Sequence, residues 1–332
     1  NALIFGYVHN GLCDEALNCF TQMKDEGLSP DGVTFACILN VCGSVGNLLL
    51  GEEIHAEVSI KGLLGKDIVL GTALVDMYAK CGALEKAQQV FDELPVGDVI
   101  SWNALISGYT EHGLPDEALK CYTKMRDVEI SPNITTFISI MKVCGMKGRI
   151  DVGEEIHTEI RNQGLLQKDV VLGTGLVDMY AKCGLLGKAE EVFEQIHVRD
   201  VVCWNALMSG YAHVGASEKV FHCFKIMLEE GIKPNSVTFV IILGTCSCRG
   251  LFHESHSYFE AMTKDHGIIP TLEHHTCMVG ILSRTGHLDK AMAMIKRMPD
   301  PPDHVTWHTI LYASRNLGNI ECGRQIFDHV RR

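Results

Sequence analysis

The chain has 332 residues, past the roughly 250–300 at which one compact core stops growing, so it holds two domains or a repeat array. Apolar residues make up 46% and charged residues 21% of it, which excludes intrinsic disorder. A formal net charge of −12 excludes a protein that grips nucleic acid or an anionic membrane by net electrostatics alone.

Self-comparison along the chain shows an internal period. Ser101-Trp102-Asn103-Ala104-Leu105 returns 102 residues later as Cys203-Trp204-Asn205-Ala206-Leu207, and Asn1-Ala2-Leu3-Ile4 stands the same distance upstream of Asn103. Ile54-His55 and Met77-Tyr78-Ala79-Lys80-Cys81-Gly82 recur at that offset as Ile156-His157 and Met179-Tyr180-Ala181-Lys182-Cys183-Gly184. Each period divides into three unlike units of 35, 36 and 31 residues. The expected order is a partial unit 1–31, then 32–67, 68–98, 99–133, 134–169, 170–200, 201–235, 236–271 and 272–303, with a partial unit 304–332. The last triplet is one residue longer, an excess assigned to Asp300-Pro301-Pro302-Asp303.

Each unit reads as a helix pair. Trp102, Leu105, Ile106 and Tyr109 share one helical face, Gly113-Leu114-Pro115 breaks the helix, and Asp116-Glu117 opens a second whose apolar face is Ala118, Leu119, Tyr122 and Met125. The acidic first turn suits the positive end of the helix dipole, and Pro132 stops the pair. A lone pair cannot bury its apolar face, so the pairs stack; the fold expected is all-α, an α-solenoid with its concave surface free for binding.

The 35, 36, 31 rotation resembles the plant pentatricopeptide repeat family, more narrowly its subclass with alternating P, L and S repeats. Trp-Asn-Ala-Leu-Ile, Gly-Glu-Glu-Ile-His and Asp-Met-Tyr-Ala-Lys-Cys-Gly in their respective units carry the resemblance. Leu272-Glu273-His274-His275 to Asp303 is similar to the terminal S repeat, and Val305-Thr306-Trp307 to Arg332 resembles the start of a shortened E motif. Such proteins are organelle-targeted, in the mitochondrion or chloroplast, and bind single-stranded RNA to select cytidines for editing to uridine. Because the chain opens on Asn-Ala-Leu-Ile without an initiator Met, it reads as a fragment whose targeting segment has been cut away.

The resemblance implies that the fifth and last residues of each repeat read one base, since two polar side chains can meet the edge of an unstacked base. The P-type pairs are then Asn1 with Asp31, Asn103 with Asn133, and Asn205 with Asn235, suited to pyrimidines. The S-type pairs are Thr72 with Asp98, Thr174 with Asp200, and Thr276 with Asp303, suited to guanine. L repeats offer Ala36 with Asp67, Ile138 with Asp169 and Val240 with Thr271, which lack a polar fifth residue. The implied target is U, any base, G, pyrimidine, any base, G, pyrimidine, any base, G. The second residue packs on the base, here the β-branched Val69, Ile100, Val171 and Val202, while Glu273 departs from the pattern. Lys80, Lys182 and Arg284 share the thirteenth position of the S repeats and are candidates for phosphate contact. Each of these readings has a plainer rival: Asn1, Asn103 and Asn205 as helix N-caps, and Lys in Ala-Lys-Cys-Gly as a residue favoured at a helix C-terminus.

No catalytic chemistry is expected. His55-Ala56-Glu57 and His157-Thr158-Glu159 match half of a zinc-deaminase signature but lack the Pro-Cys-x-x-Cys half, and they are one repeat position seen twice. His253-Glu254-Ser255-His256 is one residue short of a zinc-protease motif. The 14 cysteines include no Cys-x-x-Cys pair, which favours a reducing compartment, and most recur at fixed repeat positions such as Cys42, Cys144 and Cys246, as core packing requires. No metal, no cofactor and no membrane span is expected, since no run of 18 apolar residues occurs. The leading function is sequence-specific RNA binding at an editing site, with deamination left to a protein acting in trans or to a further domain, alongside editing cofactor proteins. RNA stabilisation without editing and a protein-binding helical scaffold are the alternatives.

Overall fold

A computed structural model describes residues 1–332 apart from 65, 66, 96, 297, 299, 300, 322, 325 and 327–332. Asp300 and the last residues of the expected E-like segment lie outside the described residues. The described residues form helices and no strand.

The chain makes two compact units, Asn1–Ile156 and His157–Arg332. The first holds α1 (Ala2–His9), α2 (Cys13–Asp25), α3 (Gly32–Val45), α4 (Leu48–Ile60), α5 (Ile68–Lys80), α6 (Leu84–Glu93), α7 (Val99–Glu111), α8 (Pro115–Asp127) and α9 (Ile134–Lys147). Helix α10 (Ile150–Asn162) spans the division. The second unit holds α11 (Val170–Lys182), α12 (Leu186–Gln195), α13 (Val201–His213), α14 (Ser217–Glu229), α15 (Ser236–Arg249), α16 (Phe252–Lys264), α17 (Leu272–Arg284), α18 (Leu288–Ile295) and α19 (His304–Asn316).

Odd-numbered helices pack side by side in a row: α1, α3, α5, α7, α9 in the first unit and α11, α13, α15, α17, α19 in the second. Within each unit α2, α4, α6, α8, α12, α14, α16 and α18 pack on their own partner and on the next odd helix. Every unit is therefore an α-solenoid of stacked hairpins, with the odd row the more tightly spaced face.

Capping explains where the odd helices begin. Asp31, Asn133 and Asn235 are the N-caps of α3, α9 and α15, and each accepts the backbone N–H of the threonine three residues on, which completes a capping box. Those three helices end on Gly46, Gly148 and Gly250 at φ of 70°, 67° and 68°, a left-handed conformation that glycine adopts without strain.

Close approach within the odd row also needs glycine. A Cβ on Gly108 would stand 2.7 Å from the Ala79 Cβ, and one on Gly210 would stand 2.5 Å from the Ala181 Cβ. Edge-to-face contacts between Phe91 and Trp102 and between Phe193 and Trp204 pin an even helix to the next odd one. The repeated histidines belong to the same framework. His55 Nδ1 lies 2.8 Å from the Tyr78 hydroxyl and His157 Nδ1 2.9 Å from that of Tyr180. Burial lowers the His55 pKa and pushes the Tyr78 hydroxyl up to about 12, as expected of a core contact.

Candidate nucleic-acid interface

The fifth residue of a P repeat sits in the second turn of its odd helix, where its amide meets the cap of the next odd helix. Asn103 and Asn205 are almost buried, at 8% and 6% exposure. Asn103 Nδ2 donates to Asn133 Oδ1 at 2.9 Å, Asn205 Nδ2 to Asn235 Oδ1 at 3.0 Å, and Asn1 Nδ2 to Asp31 Oδ2 at 2.6 Å. The N-cap reading of the asparagines is corrected here for Asn103 and Asn205, which lie inside α7 and α13; the capping residues are Asp98 and Asp200. In the P repeats capping has passed to the last residue, which therefore holds the next helix and the preceding fifth residue together.

The S-type pairs are arranged differently. The Thr72 hydroxyl is enclosed and unpartnered, while Asp98 accepts the Ser101 N–H at 2.8 Å. The Thr72 hydroxyl makes no bond to Asp98. Thr174 bonds the Cys203 thiol, whose proton burial holds in place, raising it to about 11. Thr276 Oγ lies 2.9 Å from Thr306 Oγ, and Thr306 donates in turn to Asp303 at 2.7 Å. In the L repeats Ala36, Ile138 and Val240 add no polar group, and Asp67 and Asp169 serve as caps of α5 and α11.

Beside these pairs the second residues form an apolar wall. Val69, Ile100, Val171 and Val202 are between 54% and 68% exposed. Val33, Val237 and Val305 hold the same repeat position and are also exposed. In the first unit, Val69, Thr72, Ile100, Asn103 and Asn133 line one groove of about 880 Å³ together with Lys80.

The S-repeat cations already have partners. Lys80 Nζ lies 2.7 Å from Asp76 and Lys182 Nζ 2.6 Å from Asp178, each one helical turn back. Arg284 donates to the Ser247 carbonyl at 2.7 Å and to its hydroxyl at 3.0 Å. Lys80 and Lys182 are also the last residues of α5 and α11, where the helix dipole favours them.

The carboxylates at the caps respond to their surroundings. The backbone N–H and hydroxyl of Thr34 hold Asp31 below the usual carboxyl range, and the hydroxyl and N–H of Thr306 do the same for Asp303. Cys42, Cys144 and Cys246 are fully buried between helices. Burial raises the Cys42 thiol to about 11 and the Cys246 thiol to about 12, as expected of packing groups rather than nucleophiles. Among the described residues no three His, Cys, Asp or Glu side chains converge.

Two sets of residues beside these pairs escape a reading of fifth and last positions. Thr34, Thr136 and Thr238 donate to the Oδ1 of Asn1, Asn103 and Asn205 at 2.5, 2.6 and 2.8 Å. Asp76 and Asp178 neutralise the lysines. Both sets recur at the 102-residue offset, which was the signal that could have found them.

Comparison with known sequences gives repeat matches along most of the chain. The profile described as PPR repeat family matches residues 1–44, 97–146 and 199–248, and one described as PPR repeat matches 72–97, 174–201 and 273–300. The chain is 37% identical to the chloroplastic pentatricopeptide repeat-containing protein CRR2 of Arabidopsis thaliana, covering 97% of this chain and 50% of the relative. It is 38% identical to a mitochondrial pentatricopeptide repeat-containing protein of the same plant, over 91% of this chain and 44% of that one. The chain thus spans half or less of the length of these curated relatives. Among solved structures it is similar to the maize pentatricopeptide repeat protein PPR10 in complex with an 18-nt psaJ RNA element, with a TM-score of 0.69 and 19% identity over 98% of this chain and 54% of that one.

Proposed function

Since the chain belongs to the pentatricopeptide repeat family, we propose that it binds single-stranded RNA in a sequence-specific manner, one base per repeat, along the odd-helix face. One observation carries this reading: the P-repeat asparagine and the cap of the following helix are joined at all three places where they occur, at 2.6, 2.9 and 3.0 Å, beside an exposed β-branched wall. A carboxamide so held keeps its second N–H for a base edge, and an aliphatic wall supports a flat base at little entropic cost. The solved complex of maize PPR10 with RNA supports the same class of ligand.

The finer reading follows the unit lengths. The rotation of 35, 36 and 31 residues supports alternating P, L and S repeats, with an E-like segment from residue 304. This organisation supports selection of a cytidine-to-uridine editing site in a mitochondrial or chloroplast transcript, as the organellar names of two relatives also do. Deamination is assigned to a deaminase acting in trans or elsewhere in the polypeptide.

The test is equilibrium binding to a nine-nucleotide RNA of the pattern U, any, G, pyrimidine, any, G, pyrimidine, any, G, against versions with each G changed to A. Each change is expected to cost about 1–3 kcal/mol if it removes a base-edge contact. Equal affinity for all versions overturns the base-reading proposal, and tighter binding of peptides than of any RNA would establish the scaffold alternative.

A further inference from the structure

The third residue of α3, α9 and α15 lies one helical turn from its cap and hydrogen-bonds the fifth residue of the repeat before. We infer that this residue is a positioning residue for the base-reading pair, and that Thr34, Thr136 and Thr238 fix which end of the Asn1, Asn103 and Asn205 carboxamides faces the base. The inference rests on the base-reading function proposed above.

The argument is one of hydrogen-bond accounting. Around Asn103, the Asn133 N–H donates to Thr136 Oγ at 3.1 Å, which occupies a lone pair of that hydroxyl and leaves its proton to give away. Two oxygens are within reach: Asn103 Oδ1 at 2.6 Å and Asn133 Oδ1 at 3.2 Å. The shorter contact takes the proton. Asn133 Oδ1 meanwhile accepts the Thr136 N–H at 3.2 Å and, from the other side, Asn103 Nδ2 at 2.9 Å. A flipped Asn103 would set its oxygen against the Asn133 oxygen and leave two acceptors without a proton between them. Both ends of the amide are therefore specified, one by the cap and one by the threonine.

The same arrangement is built at Asn205, where Thr238 Oγ donates to Oδ1 at 2.8 Å, and at Asn1, where Thr34 Oγ does so at 2.5 Å. The residue type at the third position also follows that of the preceding fifth position. Where the fifth is Asn, the next third residue is Thr; where it is Thr, the next third is Ser101, Cys203 or Thr306. Ala36 and Ile138 are followed by Leu70 and Leu172, and Val240 by His274, whose ring is committed to the Ser236 carbonyl and to Thr271. The capping box accounts for a hydroxyl at Thr34, Thr136 and Thr238, but not for the second bond that each hydroxyl makes to the preceding fifth residue.

The experiment compares Thr136→Val, Thr136→Ser and Asn103→Ala in the 332-residue chain, measuring affinity for RNAs that differ only at the fourth nucleotide. Thr136→Val is expected to reduce the pyrimidine-over-purine ratio at that nucleotide by roughly fivefold, the worth of one hydrogen bond, and to leave the seventh nucleotide, under Asn205, unaffected. Thr136→Ser restores the ratio. If Thr136→Val weakens binding to every RNA alike with its ratio intact, Thr136 only caps a helix and the inference fails. If Asn103→Ala changes no ratio, the base-reading proposal itself fails; if Asn103→Ala flattens the ratio and Thr136→Val does not, only the positioning role is lost. Thr238→Val, read at the seventh nucleotide, carries the same expectations should Thr136→Val not fold.

Discussion

Asn133→Asp isolates base preference from folding better than any other change at the groove. Aspartate caps helices as well as asparagine does, and here it would keep accepting the Thr136 N–H and the Asn103 amide, so stability should move by less than about 0.5 kcal/mol. What changes is the group left over. In the Asn103–Asn133 pair the remaining groups are the second Asn103 N–H and the Asn133 NH₂, donors that suit the O2 and N3 acceptors of cytosine as well as the oxygens of uracil. With a carboxylate in place of the Asn133 amide the second partner becomes an acceptor, as it is in the Asn1–Asp31 pair, and it can take the N3–H of uracil but opposes the N3 lone pair of cytosine. An unmade bond of this kind costs about 1–3 kcal/mol, so the uridine-over-cytidine ratio at the fourth nucleotide should rise roughly 5- to 150-fold. Fluorescence anisotropy with two RNAs differing only there, at one fixed salt concentration, measures it. Both affinities should fall somewhat from the added negative charge, which is why the ratio is the quantity to read. A ratio within about twofold of the parent would refute the geometric reasoning.

Gly210→Ala should destabilise the protein by about 1–3 kcal/mol, because the new Cβ would stand 2.5 Å from that of Ala181 on a neighbouring backbone. Gly244→Ala, inside α15 with nothing within 4 Å, should instead stabilise by about 0.5–1 kcal/mol, and thermal melts of the two variants should move in opposite directions. Asp303 has its carboxyl pKa depressed by Thr306; its contribution is present above the ordinary value of 3.8 and is lost as pH falls through the lower folded value. Asp303→Asn should therefore flatten the acid limb of the stability curve while keeping the cap, and an unchanged limb would contradict this. Asp76→Asn frees Lys80, so affinity should rise for every RNA sequence and the salt slope steepen by about 0.7, the value for one phosphate contact on a single strand; an unaltered slope would remove Lys80 from the phosphate contacts.

The helical array was legible because a period leaves the same residues in register again and again, and helix starts are written in local chemistry. Asp31, Asn133 and Asn235 each stand directly before an apolar helix and three residues before a threonine, a signature that needs no tertiary information. The asparagines were harder. Asn103 looks like a cap in sequence because asparagine is a common one, and only the α7 boundary at Val99 shows that Asp98 has that role. The enclosed Thr72 hydroxyl could not be foreseen at all, since whether a hydroxyl finds a partner depends on side-chain placement across the helix interface. Rotamer choices of that kind are set across a helix interface, and periodicity carries no information about them.

The charge of −12 takes on a different meaning once the cations are located. Lys24 with Glu57, Lys147 with Asp116, Arg126 with Glu155 and Lys219 with Glu190 bridge successive repeats. Exposed pairs of this sort add little stability singly, yet each holds a cation in place beside a carboxylate. In the groove, Lys80 is matched by Asp76, with Glu111 also on its wall. A strand entering such a groove releases few counterions, so affinity should depend weakly on salt and strongly on base identity. A binding protein of this design would gain selectivity by what it withholds: with little sequence-independent attraction to phosphate, a mismatched RNA would have only the aliphatic wall to hold it.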